Sequence, residues 1–167
     1  MKIPVFVSCP TSLSKQQEGS YRLIINILED LQLEPRALGR GDYPSELPLR
    51  EVYTIARHCS GGIILGFKQF ETNSGTWKKN TTGEKDQSEY IAFPTPWNHL
   101  EAGVIFGLKL PLLVFREPTI QGGVFDIGVT DVFVHPMPVD PISKENKDAL
   151  KQVFLKWSAK VREHYYL

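Results

Sequence analysis

Hydrophobic and polar positions along the chain follow two rhythms. Ile3 to Ser8 is a short apolar run rich in β-branched residues, stopped by Cys9-Pro10, and it predicts a buried first strand. From Lys15 to Leu31 the apolar residues Leu23, Ile24, Ile27, Leu28 and Leu31 recur at helical spacing. Glu34 to Leu38 predicts a short second strand, closed by Gly39-Arg40-Gly41-Asp42-Tyr43-Pro44, a dense run of turn residues. Ser45 is placed to cap a second helix, with Leu49, Val52, Tyr53 and Ala56 on one face. Gly61 to Gly66 predicts a third strand, apolar and central.

Residues 67 to 94 then turn polar and carry Gly75 and Gly83. That stretch is too long for a routine connection and is expected to be a lid or a mobile segment. A helix opens near Thr95-Pro96, with proline in its first turn, and runs to about Lys109. Pro111 to Phe115 predicts a fourth strand and Asp131 to His135 a fifth, with Gly122-Gly123 between them. Leu150, Val153, Phe154, Trp157 and Val161 mark a closing amphipathic helix. Strands alternating with helices predict a parallel sheet covered on both faces. The expected architecture is α/β, a flavodoxin-like three-layer sandwich with a five-stranded parallel sheet of order 2-1-3-4-5. No internal repeat and no linker interrupts it, so residues 1–167 read as one domain.

Composition narrows the function classes. A chain of 167 residues is long enough for one stable core. Nineteen Lys+Arg balance nineteen Asp+Glu, which removes the basic surface that bulk nucleic acid or an anionic membrane would need. No apolar run approaches the roughly 20 residues that cross a bilayer. Met1 to Val7 is too short for a signal peptide and lacks a small-residue cleavage site. Cys9 and Cys59 make neither a disulfide framework nor a zinc site, and His58, His99, His135 and His164 lack metal-ligand spacing. A cytosolic domain is expected that binds no nucleic acid, membrane, metal or resident cofactor and works through a small-molecule pocket.

In an open parallel sheet, ligands sit beyond the carboxyl ends of the strands. The residue that stands out there is Glu101. Rotating the helix by about 100° per residue puts Trp97, Leu100, Val104, Ile105 and Leu108 on one apolar face, with Glu101 in its middle. A carboxylate on a buried stripe costs several kcal/mol unless something requires it. Burial raises its pKa and the helix N-terminus lowers it, so it is an acid, base or nucleophile, or else a carboxylate holding backbone amides. Ser8 and Cys9 lie at the same edge, as nucleophiles or as a plain strand-end hydroxyl and thiol. Arg40 and Asp42 are placed to hold phosphate and ribose hydroxyls, or are solvated turn residues. Trp97 is either a stacking surface or a core aromatic, and His99 points away from the Glu101 face. Lys78-Lys79 reads as a solvated pair. No G-x-G-x-x-G, P-loop or G-x-S-x-G pattern occurs.

The segment Thr95-Pro96-Trp97-Asn98-His99-Leu100-Glu101 resembles the S-x-W-C-x-x-E signature of Toll/interleukin-1 receptor (TIR) domains that act as NAD glycohydrolases. Thr95 takes the serine position, Trp97 matches, Asn98 replaces the cysteine, and Glu101 stands at the catalytic glutamate. Val5-Phe6-Val7-Ser8 resembles the first TIR strand, and the Gly39-to-Pro44 loop stands where that family has its BB loop. Glu101-Ala102-Gly103 and Gly107-Leu108-Lys109-Leu110-Pro111 also resemble nucleoside 2-deoxyribosyltransferases, which place a catalytic glutamate at the same point. The resemblance covers the order of elements over about residues 3 to 135. It implies cleavage of a ribosyl–base bond through an oxocarbenium-like state steadied by Glu101. For NAD as substrate it implies Phe6 and Trp97 as stacking surface, with Ser8, Cys9, Arg40, Asp42 and Asn98 lining the remainder. It further implies ADP-ribose or a cyclic ADP-ribose-type product, a role in bacterial anti-phage defence, self-assembly, and a downstream effector that senses the product. A deoxyribosyltransferase or N-glycosidase, and a non-catalytic nucleotide-binding or interaction module, are the competing readings.

Overall fold

The computed structural model describes residues 1–37 and 48–167. Its main sheet has five parallel strands in the order β2-β1-β3-β8-β9: β1 is Ile3–Ser8, β2 Leu33–Arg36, β3 Gly62–Gly66, β8 Leu112–Arg116 and β9 Val134–Pro136. Four helices among the described residues cover it: α1 Lys15–Asp30, α2 Pro48–Arg57, α3 Pro96–Gly107 and α4 Lys144–Tyr166. The molecule is an α/β sandwich consistent with a flavodoxin-like fold. Its strand order departs from the simple 2-1-3-4-5 count because four short strands intervene between β3 and β8.

Those four strands fill the 67–94 segment. Strands β4 (Phe70–Thr72) and β7 (Ile91–Phe93) pair antiparallel, and β5 (Gly75–Trp77) and β6 (Lys85–Gln87) extend the same excursion as a second ribbon. The expected open loop is a built hairpin. Its polar composition reflects the exposure of β4, β5 and β6, while Ile91 and Ala92 of β7 are buried.

Each strand of the main sheet sends alternate side chains to opposite faces. Ile3, Val5, Val7, Ile63, Leu65, Leu113 and Phe115 pack with α1 and α4. Phe6, Ile64, Leu112 and Val114 pack with α2 and α3. Ser8 follows Phe6 on that second face, which decides what it can meet. The strand order reverses between β1 and β3, and in open sheets of this kind that switch point, at the carboxyl ends of the strands, is where ligands generally bind.

Local signals fix the helix starts. Ser14 and Gln17 form a reciprocal capping box at α1, and Thr95 and Ser143 cap α3 and α4 with their side chains. Helix α3 carries Pro96 at its first position, where no backbone N–H is needed.

The rotation of α3 differs from the expected one. The buried residues are Asn98, Glu101, Ala102 and Ile105, while Trp97, Leu100 and Phe106 are exposed. Gly62 supplies one physical reason. A Cβ there would lie 2.7 Å from Ile105 Cγ2, so the missing side chain is the space that Ile105 occupies. We expect Gly62→Ala to lower stability by about 1–3 kcal/mol through overpacking. Urea denaturation checks this, and the double variant Gly62→Ala/Ile105→Ala is expected to cost less than the two single changes added together.

Candidate functional site

Three polar side chains meet under the first two turns of α3. Ser8 ends β1 and is 1% exposed; Asn98 and Glu101 descend from α3 and are 0% and 8% exposed. The Asn98 side-chain amide donates to Ser8 Oγ at 2.8 Å and to the Ser8 carbonyl at 3.4 Å. The Ser8 hydroxyl, so engaged as an acceptor, donates to Glu101 Oε2 in a short hydrogen bond. The direction of the chain is therefore set: amide to hydroxyl to carboxylate. Among the described residues the carboxylate takes its hydrogen bond from this hydroxyl and not from a backbone amide.

Burial dominates the electrostatics. It pushes the Glu101 carboxyl up to about 7, against an opposing pull from the Ser8 hydrogen bond. Desolvation acts as foreseen for this residue, but the opposing pull comes from the Ser8 hydroxyl and not from the helix N-terminus. A carboxyl titrating near neutrality is matched to proton transfer, to attack on carbon, or to steadying a cation at physiological pH. Asn98 Oδ1 is buried with no hydrogen-bond partner among the described residues. An orphaned acceptor beside a buried carboxylate is an unspent hydrogen-bonding capacity.

Of the residues singled out from the sequence, the structure brings together Ser8, Asn98 and Glu101. Phe6 and Cys9 lie elsewhere. Phe6 is 0% exposed within the α2–α3 core, so it offers no face to a ligand; its strand position is one pleat too deep. Cys9 follows the alternation to the opposite face and packs against the α1–α4 core, with its thiol toward the Pro10 carbonyl at 3.5 Å. Trp97 stands on the outer side of α3 and lines a surface hollow with Leu49, Tyr53 and Val104. At 38% exposed it is not a core aromatic, and it stands one helical turn before Glu101. Arg40 and Asp42, with the Gly39-to-Pro44 loop and Ser45, lie outside the described residues.

His99 points away from Glu101 as expected, and its ring meets Phe125 edge-on at a centroid distance of 5.5 Å. Burial holds its pKa below the ordinary histidine value, with a weaker opposing pull from Asp126. Cys59 is buried, and desolvation pushes its thiol up to about 12, out of the reactive range. No group of three His, Cys, Asp or Glu among the described residues is arranged to hold a metal ion. No helix among them is long and apolar enough to cross a membrane.

A second polar cluster stands at the same edge. Glu117, just past β8, accepts from the Gln17 side chain at 2.7 Å and from the Lys68 backbone N–H at 2.8 Å. Gln17 Nε2 also donates to the Lys68 carbonyl at 3.3 Å. This ties the start of α1 to the ends of β3 and β8. Beside it, Arg116 donates to the carbonyls of Ile120 (3.3 Å) and Phe125 (2.8 Å), which folds the turn at 117–125 against the sheet. The Gln17–Glu117–Lys68 contacts span about 50 to 100 residues of sequence, and no local pattern signals them.

No family model matches this chain, and no curated protein matches it.

The buried carboxylate has a stability signature. Its pKa is raised in the fold, so the fold disfavours its ionised form. Relative to the unfolded chain, no penalty exists below about pH 4.5, and the penalty grows as pH rises through about 7. Glu101→Gln keeps the shape and an acceptor for Ser8 while removing the charge. We expect it to stabilise the protein at pH 8 by roughly 3–3.5 kcal/mol, taking about 1.4 kcal/mol per pKa unit. Thermal melts at pH 8 and pH 4.5 check this, with the difference vanishing at the lower pH.

Proposed function

We propose that this chain is a TIR-like enzyme that cleaves the nicotinamide–ribose bond of NAD, with Glu101 as its catalytic residue. The observation that carries this reading is the oriented, desolvated carboxylate of Glu101 at the carboxyl end of β1, held by the Ser8 hydroxyl. The T-P-W-N-H-L-E segment that resembles the TIR signature supplies Asn98 and Glu101 to that same cluster.

The chemistry follows from what a buried carboxylate does best. The glycosidic C–N bond breaks, and its electron pair leaves with nicotinamide, neutralising the pyridinium. The ribosyl C1′ is left as an oxocarbenium ion. An ionised carboxylate in a low-dielectric setting stabilises that cation far more than it would in water. Water then adds at C1′ and releases a proton, giving ADP-ribose. Alternatively an adenine nitrogen of the same molecule adds there, giving a cyclic product. Ser8 and Asn98 position the carboxylate. Self-assembly, a setting in anti-phage defence and a downstream effector that senses the product belong to this reading on the strength of the TIR resemblance.

The same geometry suits a covalent route on a deoxynucleoside: Glu101 attacks C1′ as the first base leaves with the C–N electron pair, and a second base then displaces the carboxylate. The E-A-G sequence at Glu101–Gly103 supports this second reading.

Purified protein incubated with NAD, and separately with a deoxynucleoside plus a free base, distinguishes the two. Mass spectrometry is expected to show nicotinamide together with ADP-ribose or its cyclic form. Glu101→Gln is expected to lower the rate by at least about 100-fold, the scale on which a lost transition-state charge partner acts. Because the ionised form is required, the rate is expected to rise with pH, reach half-maximum near pH 7 and level off above it. Base exchange without NAD turnover establishes the second reading. Nicotinamide release that survives Glu101→Gln removes Glu101 from the chemistry, and turnover of neither substrate points to a binding module.

A further inference from the structure

Helix α3 has a second lined flank. Its residues His99, Ala102, Gly103 and Phe106 repeat at helical spacing and wall a pocket of about 580 Å³. At about 100° per residue, the centre of that stripe lies roughly 150° around the helix from Glu101. The ribbon of the 67–94 segment supplies Trp77 and Phe93 as the facing wall, and the 121–130 segment closes the pocket.

The walls are fixed in place. The Trp77 indole N–H donates to Gln87 Oε1 at 2.7 Å, and its ring meets Phe93 at 5.9 Å with an interplanar angle of 63°. Gly123 has φ +57°, and a Cβ there would lie 2.6 Å from His99 Nδ1. Only glycine lets the imidazole approach this turn. Trp77 is 40% exposed and Phe106 is 51% exposed, so aromatic surface faces open space.

Polar capacity is present without charge. Gln121 carries a carboxamide that both donates and accepts, and the buried Thr130 hydroxyl has no partner among the described residues. None of the described lining side chains is a lysine, arginine, aspartate or glutamate. Burial keeps His99 toward its neutral form. A phosphate would find no cation here, whereas a flat, uncharged ring with hydrogen-bonding edges would find aromatic contact and matching amide groups.

We propose that this pocket binds the ring of a neutral purine nucleoside at a site separate from Glu101. Trp77 and Phe93 supply the aromatic contact, and Gln121 reads the edge of the base. The site stands independently of the reaction assigned to Glu101, because the carboxylate faces β1 across the helix.

Calorimetric titration of the full chain with adenosine tests this, with free indole as a control ring. Saturable adenosine binding is expected, tighter than that of indole. Trp77→Ala is expected to weaken it about tenfold or more, the range of base–aromatic stacking. Gly103→Leu fills the pocket from the helix side; a Cβ at Gly103 meets nothing within 4 Å, so the fold accommodates it and binding is lost. Glu101→Gln is expected to leave adenosine affinity unchanged, whatever the outcome with NAD. Absence of saturable binding overturns the proposal, as does indole binding as tightly as adenosine. Binding that persists in Gly103→Leu or disappears in Glu101→Gln also overturns it, since the base then sits elsewhere.

Discussion

The hydrogen bond from the Ser8 hydroxyl to Glu101 is the contact on which the site is organised. A carboxylate taken out of water is held there against its own solvation, and one neutral hydroxyl offsets only part of that loss. The net upward pull on its pKa says that burial wins. Such a group adds little to stability in its ionised form. Its presence makes sense as stored reactivity, in a chain whose remaining core is apolar and closely packed.

Two unrelated constraints bring the partners together. The first is the two-residue period of β1: Val5 and Val7 go to one face, Phe6 and Ser8 to the other. A shift of one residue would turn Ser8 away and bring Cys9 toward α3. The second is the fit of Ile105 over Gly62, which sets how α3 is rotated on the sheet. Glu101 lies four residues before Ile105, one turn nearer the carboxyl edge, so the same stripe that docks the helix delivers the carboxylate to Ser8. The apolar contact and the polar contact specify one rotation.

Most of the layered architecture was legible in local pattern. The apolar β1 and β3 runs, the cap at Thr95-Pro96 and the closing stripe from Leu150 to Val161 all correspond to elements of the structure. What was not legible has physical causes. The rotation of α3 was ambiguous because Trp97, Leu100, Val104, Ile105, Phe106 and Leu108 make the helix apolar almost all round. The 67–94 ribbons are too short and too exposed to carry an alternating signal. The Gln17–Glu117–Lys68 cluster depends on three distant segments meeting at one sheet edge. Within the site, Glu101 was conspicuous as a charge in an apolar stripe. Asn98 drew notice only through its place in the T-P-W-N-H-L-E segment, since nothing local marks an asparagine as wholly buried.

An apolar surface all round α3 is itself informative. A helix on the outside of a sandwich needs one apolar stripe against its sheet, and the stripe of Ala102 and Ile105 suffices for that. The remaining apolar residues divide between two flanks. Trp97 and Val104 face the hollow beside Leu49 and Tyr53, and Phe106 faces the pocket beneath Trp77. Neither flank is needed for docking the helix, yet each is walled by a neighbouring element. The zero net charge fits this arrangement: with no basic surface to attract a polyanion, recognition falls to ring faces, amides and a single desolvated carboxylate. Electrostatic discrimination is thereby concentrated at Glu101, where low dielectric makes one charge count most.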